Sequence, residues 1–485
     1  MLWFTNHTPV GGTPVIRFGT AGIRGAVPTQ FDQLDAITVG LAIQQTLGDG
    51  LTEVVIGRDA RTTGHSLTAG VIAGITTAGG DCIDAGAIPT PVLAHASQGR
   101  IGVMVTASHN PPQDNGIKVF VDGSEIRRPD ERAIEEACTQ PSVRSPWDEA
   151  GSVSSSNPMS PYQRDLGEYL QTVASEHELA DDRPLDGLEI ALDGGNGMAV
   201  PTIAPVLREL GASVVTFNAD PSGYAPARES KPTEASISGF RRWLAGTETS
   251  YDLGMAFDGD GDRIVLVDPE GHVIHEDTVI AMLATSFSRH ASDDRPIIVT
   301  TPNASARIDD AVITHGGSVE RTPLGGLIEG IDSVRRRNTP GERVVFAAEP
   351  WKHLYPDFGM WIDALAAAGV LSILVMSASA LETLTTPIAN PPYRKEHVRC
   401  PDALKTQVME RLVESMPRAF PEGSFEHASD GIRVTFGRFE WLLIRPSGTE
   451  PVIRVYAEGE TTVETRLTPT VELLKEERDT LPPDG

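Results

Sequence analysis

Three times along the chain an apolar run of strand length is followed by a turn, a helix-length segment, and a Gly-Gly or Gly-Ala pair that opens a second apolar run. The copies read LTEVVIGRDA to AGGDCIDAG, LEIALDGGNG through VLRELGASVVTF, and PIIVTTPNAS through ITHGGSVERT. Each strand carries Val and Ile, and each helix is followed by a glycine suited to a left-handed C-cap, the punctuation of a β-α-β unit. The triplet predicts three α/β domains of related topology.

A Ser- and Pro-rich stretch, TQPSVRSPWDEAGSVSSSNPMSP, reads as a surface connection after the first copy, and IANPPYRKEH marks another boundary after Pro387. Beyond it GIRVTF, FEWLLIRP and VIRVYAEG alternate like strands and VELLKEERDTL is amphipathic, which suggests a smaller C-terminal α+β domain. The expected domains are 1–150, 158–256, 257–385 and 390–485, with segments 258–263 and 347–353 in the third. The stretch from Ala364 to Leu381, rich in Ala, Ser and Gly and flanked by Asp363 and Glu382, reads as a buried helix.

The 40 basic and 67 acidic side chains give a net charge of −27, which argues against a general nucleic-acid or anionic-membrane binder. Only six residues are lysine (118, 231, 352, 395, 405 and 475), against 34 arginines, and with the carboxylate excess this predicts a surface adapted to concentrated salt. Cys82, Cys138 and Cys400 stand apart, without metal-ligand or disulfide spacing. MLWFTNHTPVGG has no basic segment followed by an apolar run, so a cytoplasmic protein is expected.

Four loops concentrate chemistry. TASHNPPQDNGIKVF follows the strand-like IGVMV; its prolines, Pro111 and Pro112, stiffen it while Gly116 is expected to permit a turn, so that Ser108 and Lys118 are held in fixed relation. FDGDGDRIVLVDPEG presents Asp258, Asp260 and Asp262 at alternating positions, and carboxylates that close repel unless a cation binds; oxygen ligands suit Mg²⁺. A calcium EF-hand loop would need Gly and Glu where Arg263 and Pro269 stand. RPSGTEPVIRVYAEG joins two arginines, two hydroxyls and a glycine, a set that closes on a phosphate or makes a turn with incidental salt bridges. FGTAGIRG surrounds Arg24 with glycines, and DGGNG lacks a dinucleotide fingerprint and reads as structural.

Together these motifs resemble the α-D-phosphohexomutase superfamily: TASHNPP with NGxK, DGDGDR and RPSGTEPxxR match its active-serine, metal and phosphate loops in order, and FGTAGIRG looks like its N-terminal motif. The resemblance implies three related α/β domains with mixed sheets plus a smaller fourth domain around a central cleft. It implies that Ser108 is phosphorylated, passes its phosphoryl group to a hexose phosphate to form a hexose bisphosphate, and recovers one from the other end of the sugar. Mg²⁺ would be held by Asp258, Asp260, Asp262 and phosphorylated Ser108. Lys118, Arg24 and Arg263 would lie near the transferring group, with Lys118 or His109 moving a proton, and Arg445, Ser447, Gly448, Thr449 and Arg454 would bind the non-reacting phosphate.

The sugar-selecting loop departs from the family's usual GE-x-S-G-H. Here it reads AAEPWKH, keeping Glu349 and His353 for the sugar, with Trp351 in place of a small serine and Lys352 in place of glycine. An indole there would narrow the pocket or stack on the sugar, unless the register shifts by a residue. RTPLGGLIEG likewise has Gly326 and Leu327 where relatives carry His or Lys. The motif forms most resemble archaeal phosphoglucosamine mutases, and with the composition point to a haloarchaeal member acting on glucosamine phosphate as a monomer or homodimer. Glucose or mannose phosphate is the main alternative; a non-catalytic sugar-phosphate binder and a bisphosphate synthase are the others.

Overall fold

Four β-sheets organise the chain, and three of them share one plan. The computed structural model describes residues 16–481 apart from 20, 21, 52, 141–143, 180, 181, 292, 293, 429, 430 and 449. In the first sheet Glu53–Arg58 lies between Asp81–Ala87 and Ile101–Val105, both parallel to it, and Asp114–Val121 returns antiparallel beside Ile101–Val105. Glu189–Asp193, Ser213–Phe217, Leu253–Phe257 and Ile264–Val267 repeat this arrangement in the second sheet. Arg295–Thr300, Ser318–Arg321, Glu342–Glu349 and Lys352–Leu354 repeat it in the third. The continuous apolar runs suit parallel strands covered on both faces, and IGVMV is buried at every position.

The shared plan sets out the chemistry. In each sheet the connection between the last parallel strand and its antiparallel return carries a singled-out motif: 106–113 in the first, 258–263 in the second and 350–351 in the third. The expected boundary between 256 and 257 is therefore corrected. Ile264–Val267 pairs with Leu253–Phe257, so the three-aspartate loop belongs to the second sheet, not the third. The Ser- and Pro-rich connection also supplies an edge strand, Val153–Ser155, to the first sheet.

Between the second and third sheets runs the helix Ala364–Ala378, buried over most of its length as its composition predicts. Asp363 caps it, accepting the N–H groups of Leu365 and Ala366 at 2.9 Å each. Gly369 lets Met159–Glu176 pack close, since a Cβ there would stand 2.3 Å from Leu170 Cδ1. Among the described residues no helix is long and apolar enough to cross a membrane. The fourth sheet is wholly antiparallel, from Tyr393–Arg399 at one edge to Ser424–Ala428 at the other, and its own core joins Ile444 and Val455 to Val408 and Leu474 of the covering helices.

Candidate active site

Ser108 sits at φ 51, in the left-handed region that non-glycine residues seldom occupy, so its surroundings must hold it there. Its N–H donates to Thr106 Oγ1 at 2.8 Å, and its carbonyl accepts from Arg61 at 2.8 Å and from Ser230 Oγ at 3.1 Å. Arg61 also donates to the carbonyls of Asn110, Pro111 and Asp114, while its Nε is 3.1 Å from Asp59. One buried guanidinium thus gathers the whole loop. Gly116 does not make a turn as expected: it lies within Asp114–Val121, opposite Arg24, where a Cβ would stand 1.9 Å from the Ile23 carbonyl oxygen. Its missing side chain lets the strand bearing Arg24 approach.

The three-aspartate loop coils around its first carboxylate, whose Oδ1 accepts the N–H groups of Gly261, Asp262 and Arg263. The other oxygen accepts from Ser108 Oγ at 2.8 Å. Lys118 Nζ donates to Asp260 at 2.9 Å and Asp262 at 2.7 Å, and Thr90 Oγ1 donates to Asp260 at 2.7 Å. The structure thus brings Ser108, Lys118 and all three aspartates together. Beneath them, Arg228 ties Asp193 of DGGNG to the Phe257 carbonyl, and Gly197 admits the close passage of Gly259, in keeping with a structural role for DGGNG.

Burial, reinforced by Asp262 and Asp260, pushes the Asp258 carboxyl well above its usual range. Burial also opposes charge on Asp262, but Lys118, Lys352 and Arg263 outweigh it and hold that carboxyl well below the usual range. For Lys118 burial is again overcome, here by Asp260 and Asp262, so its ammonium is held more tightly than normal. The cluster fits a hard divalent cation: one oxygen from each aspartate lies within 4.8 Å of the others, and Asp260 Oδ1 is buried without a hydrogen-bond partner among the described residues.

His109 Nδ1 is 3.4 Å from Ser108 Oγ, and burial, with Arg263 and Arg24, pushes its pKa down to about 2, leaving a neutral imidazole. Arg24 donates to Asn110 at 3.2 Å, and Arg263 Nε lies 3.7 Å from Asp262.

Beside these loops opens a cavity of about 280 Å³ whose lining includes Lys118, Asp262, Glu125, Glu349 and Lys352. Glu349 pairs with Lys352 across the Pro350–Trp351 turn, and Gly325 N–H donates to Glu349 at 3.2 Å. The 322–329 segment thus meets the 347–353 loop through backbone, not through a His or Lys. Trp351 neither narrows the cavity nor stacks into it; its ring packs with the apolar cluster of Phe240 and Val265, and Lys231 Nζ lies 5.4 Å from the ring centroid. His353, expected beside Glu349, is also corrected. Strand alternation turns it away to pack against Phe346, where both ring nitrogens are buried without partners among the described residues.

In the fourth sheet Arg445 and Arg454 face each other on paired strands. Ser447 is buried and Gly448 exposed between them, while Thr449 lies outside the described residues. Lys405 holds this loop by donating to the Ser447 and Glu450 carbonyls. Burial, then Arg263, Lys395 and Arg454, disfavour the charge on Lys231, so cations of the second and fourth sheets converge.

The sequence reading did not single out Arg61, Ser230, Glu125, Lys231, Lys395 or Lys405. For the lysines the signal is their scarcity, six in the whole sequence.

Residues 15–144 match the phosphoglucomutase/phosphomannomutase alpha/beta/alpha domain I, 167–271 match domain II, and 397–469 match the C-terminal domain. A phosphopentomutase of Thermococcus kodakarensis is 37% identical over 450 residues, covering 92% of this chain and 94% of its own. A Methanopyrus kandleri protein named "Probable phosphoglucosamine mutase" is 36% identical over 451 residues, covering 91% and 94%. The crystal structure of a phosphoglucomutase/phosphomannomutase family protein from Burkholderia thailandensis shares the fold, with a TM-score of 0.82 at 22% identity over 97% of this chain and 99% of that one.

Proposed function

The chain belongs to the α-D-phosphohexomutase superfamily, and from that premise we propose that it is a phosphosugar mutase working through a phosphorylated Ser108. Transfer to the free hydroxyl of a hexose phosphate breaks the bond between Oγ and phosphorus and forms one from phosphorus to the sugar oxygen, and the proton lost by the sugar hydroxyl is balanced by the one that Ser108 Oγ gains. The product is a hexose bisphosphate. Once the sugar reverses, its other phosphoryl group returns to Oγ, and the second hexose phosphate leaves.

Lys118 donates to phosphoryl oxygens as charge gathers on them, with Arg24 and Arg263 flanking. Of the two expected proton carriers, Lys118 is held as an ammonium by two carboxylates and acts as a hydrogen-bond donor rather than a base, and His109, 3.4 Å from Ser108 Oγ, resists taking a charge. Arg445, Ser447, Gly448, Thr449 and Arg454 hold the phosphate that does not react. Asp258, Asp260, Asp262 and phosphorylated Ser108 would hold Mg²⁺, which when bound offsets the negative charge of the transferring group.

The observation that carries this reading is the Ser108 hydroxyl 2.8 Å from the first of three clustered carboxylates, two of which bind Lys118. The test is ³¹P NMR of glucosamine, glucose, mannose and ribose 1-phosphates with Mg²⁺, high KCl and a trace of hexose bisphosphate. Conversion to a terminal phosphate is expected, and loss of conversion in Ser108→Ala. No conversion by folded protein overturns the reading, and phosphate incorporation at Ser108 without turnover moves it to the binding paralogue. The glucosamine expectation is supported by the Methanopyrus relative, and a pentose phosphate by the Thermococcus phosphopentomutase.

A further inference from the structure

Lys352 enters the cavity because of its neighbour. Trp351 has φ 70, unfavourable for a bulky residue, and two contacts keep it there: its carbonyl accepts from Ile264 N–H at 3.1 Å, and its ring packs beside Phe240 and Val265. With the hairpin tip anchored against the second sheet, alternation sends Lys352 toward the cavity and His353 away from it. Lys352 Nζ then lies 3.2 Å from Glu349 Oε1, with the two side chains 14% and 11% exposed.

This pairing changes what Glu349 offers. Oε1 faces an ammonium and Oε2 accepts the Gly325 N–H, so the carboxylate is already compensated. The field of Lys352 also reaches Asp262 and Glu125, two further carboxylates of the cavity lining. An ammonium beside a carboxylate presents donors and an acceptor to vicinal hydroxyls. A sugar bearing a protonated amine meets a like charge there, beside a carboxylate that is already compensated.

We propose that the Lys352–Glu349 pair selects the sugar, favouring phosphates of neutral polyhydroxy sugars over those of amino sugars. The proposal rests on the phosphosugar-mutase reading and departs from its glucosamine expectation.

Equilibrium binding tests it without turnover. Calorimetry on the full chain should give glucose 6-phosphate an affinity about tenfold or more above that of glucosamine 6-phosphate. In Lys352→Met, which keeps the apolar stem, the two should come within about threefold, chiefly through tighter glucosamine 6-phosphate. Should that variant melt early, Lys352→Gln reads the same ratio. Equal or tighter binding of glucosamine 6-phosphate by the unaltered protein overturns the proposal, as does a ratio that survives both variants. Rejection of uncharged 2-deoxyglucose 6-phosphate as strongly as glucosamine 6-phosphate also overturns it, because a lost hydroxyl would then suffice. Failure of the mutase reading looks different: no ³¹P conversion, with the binding ratio intact.

Discussion

The guanidinium of Arg61 reaches the carbonyl oxygen of Ser108 at 2.8 Å and donates to three more carbonyls of the same loop, so one side chain fixes the backbone that presents the hydroxyl. Lysine keeps the charge but lacks the fork. Arg61→Lys should lower kcat by about 10²-fold while the KM for the sugar phosphate stays within about threefold, because the Ser108 hydroxyl is misplaced and the cavity wall at Glu349 and Lys352 is untouched. Steady-state kinetics with a thermal melt check this; a change confined to KM would refute it.

Asp258 pairs chemistry with repulsion: it accepts the Ser108 hydroxyl while facing two other buried carboxylates. Asp258→Asn keeps an oxygen for the three loop N–H groups and removes one negative charge. Its metal-free stability should rise by about 1 kcal/mol. Mg²⁺ at about one hundred times its Kd should add about 2.7 kcal/mol to the unaltered protein and almost nothing to this variant. Melts with and without EDTA measure both.

Much of this centre was legible because its groups lie close together in the chain. Ser108 and the three aspartates each follow a buried strand, Lys118 lies on the return strand just beyond Ser108, and loops at strand ends carry reacting groups. Arg61 and Ser230 escaped notice because their partners are main-chain atoms 47 and 122 residues away, which no local pattern marks. His353 was misread for another reason: face alternates with every residue, and the Pro350–Trp351 turn gives the inward position to Lys352. The boundary at 256 failed because a short return strand after the aspartate loop looks like the start of a new unit. Lysine scarcity is itself a signal, since Lys352 lines the cavity, Lys231 lies over Trp351, and Lys395 and Lys405 stand by the fourth-sheet loop.

Asp363 links three segments, capping Ala364–Ala378 while its carboxylate accepts from the Tyr162 hydroxyl and from Trp361 Nε1, each at 2.9 Å. Tyr162→Phe removes one donor and should cost about 1 kcal/mol. Asp363→Ala removes the cap and strands two buried donors, and should cost about 3 kcal/mol. Urea unfolding ranks them, and an alanine variant no weaker than the phenylalanine one would deny Asp363 its linking role.

His353 makes stability depend on pH. Burial pushes its imidazole from 6.5 down to about 3, so below pH 6.5 the unfolded chain takes up a proton that the folded protein refuses. Stability from this residue is complete above 6.5 and is lost as pH falls from there toward about 3. At pH 5 the loss should be about 2 kcal/mol. His353→Phe keeps a ring against Phe346 and cannot titrate, so its stability between pH 7 and 5 should fall by that much less than the unaltered protein's. Denaturant unfolding at the two pH values measures the difference; parallel losses in both proteins would mean that His353 is protonated in the fold and faces water.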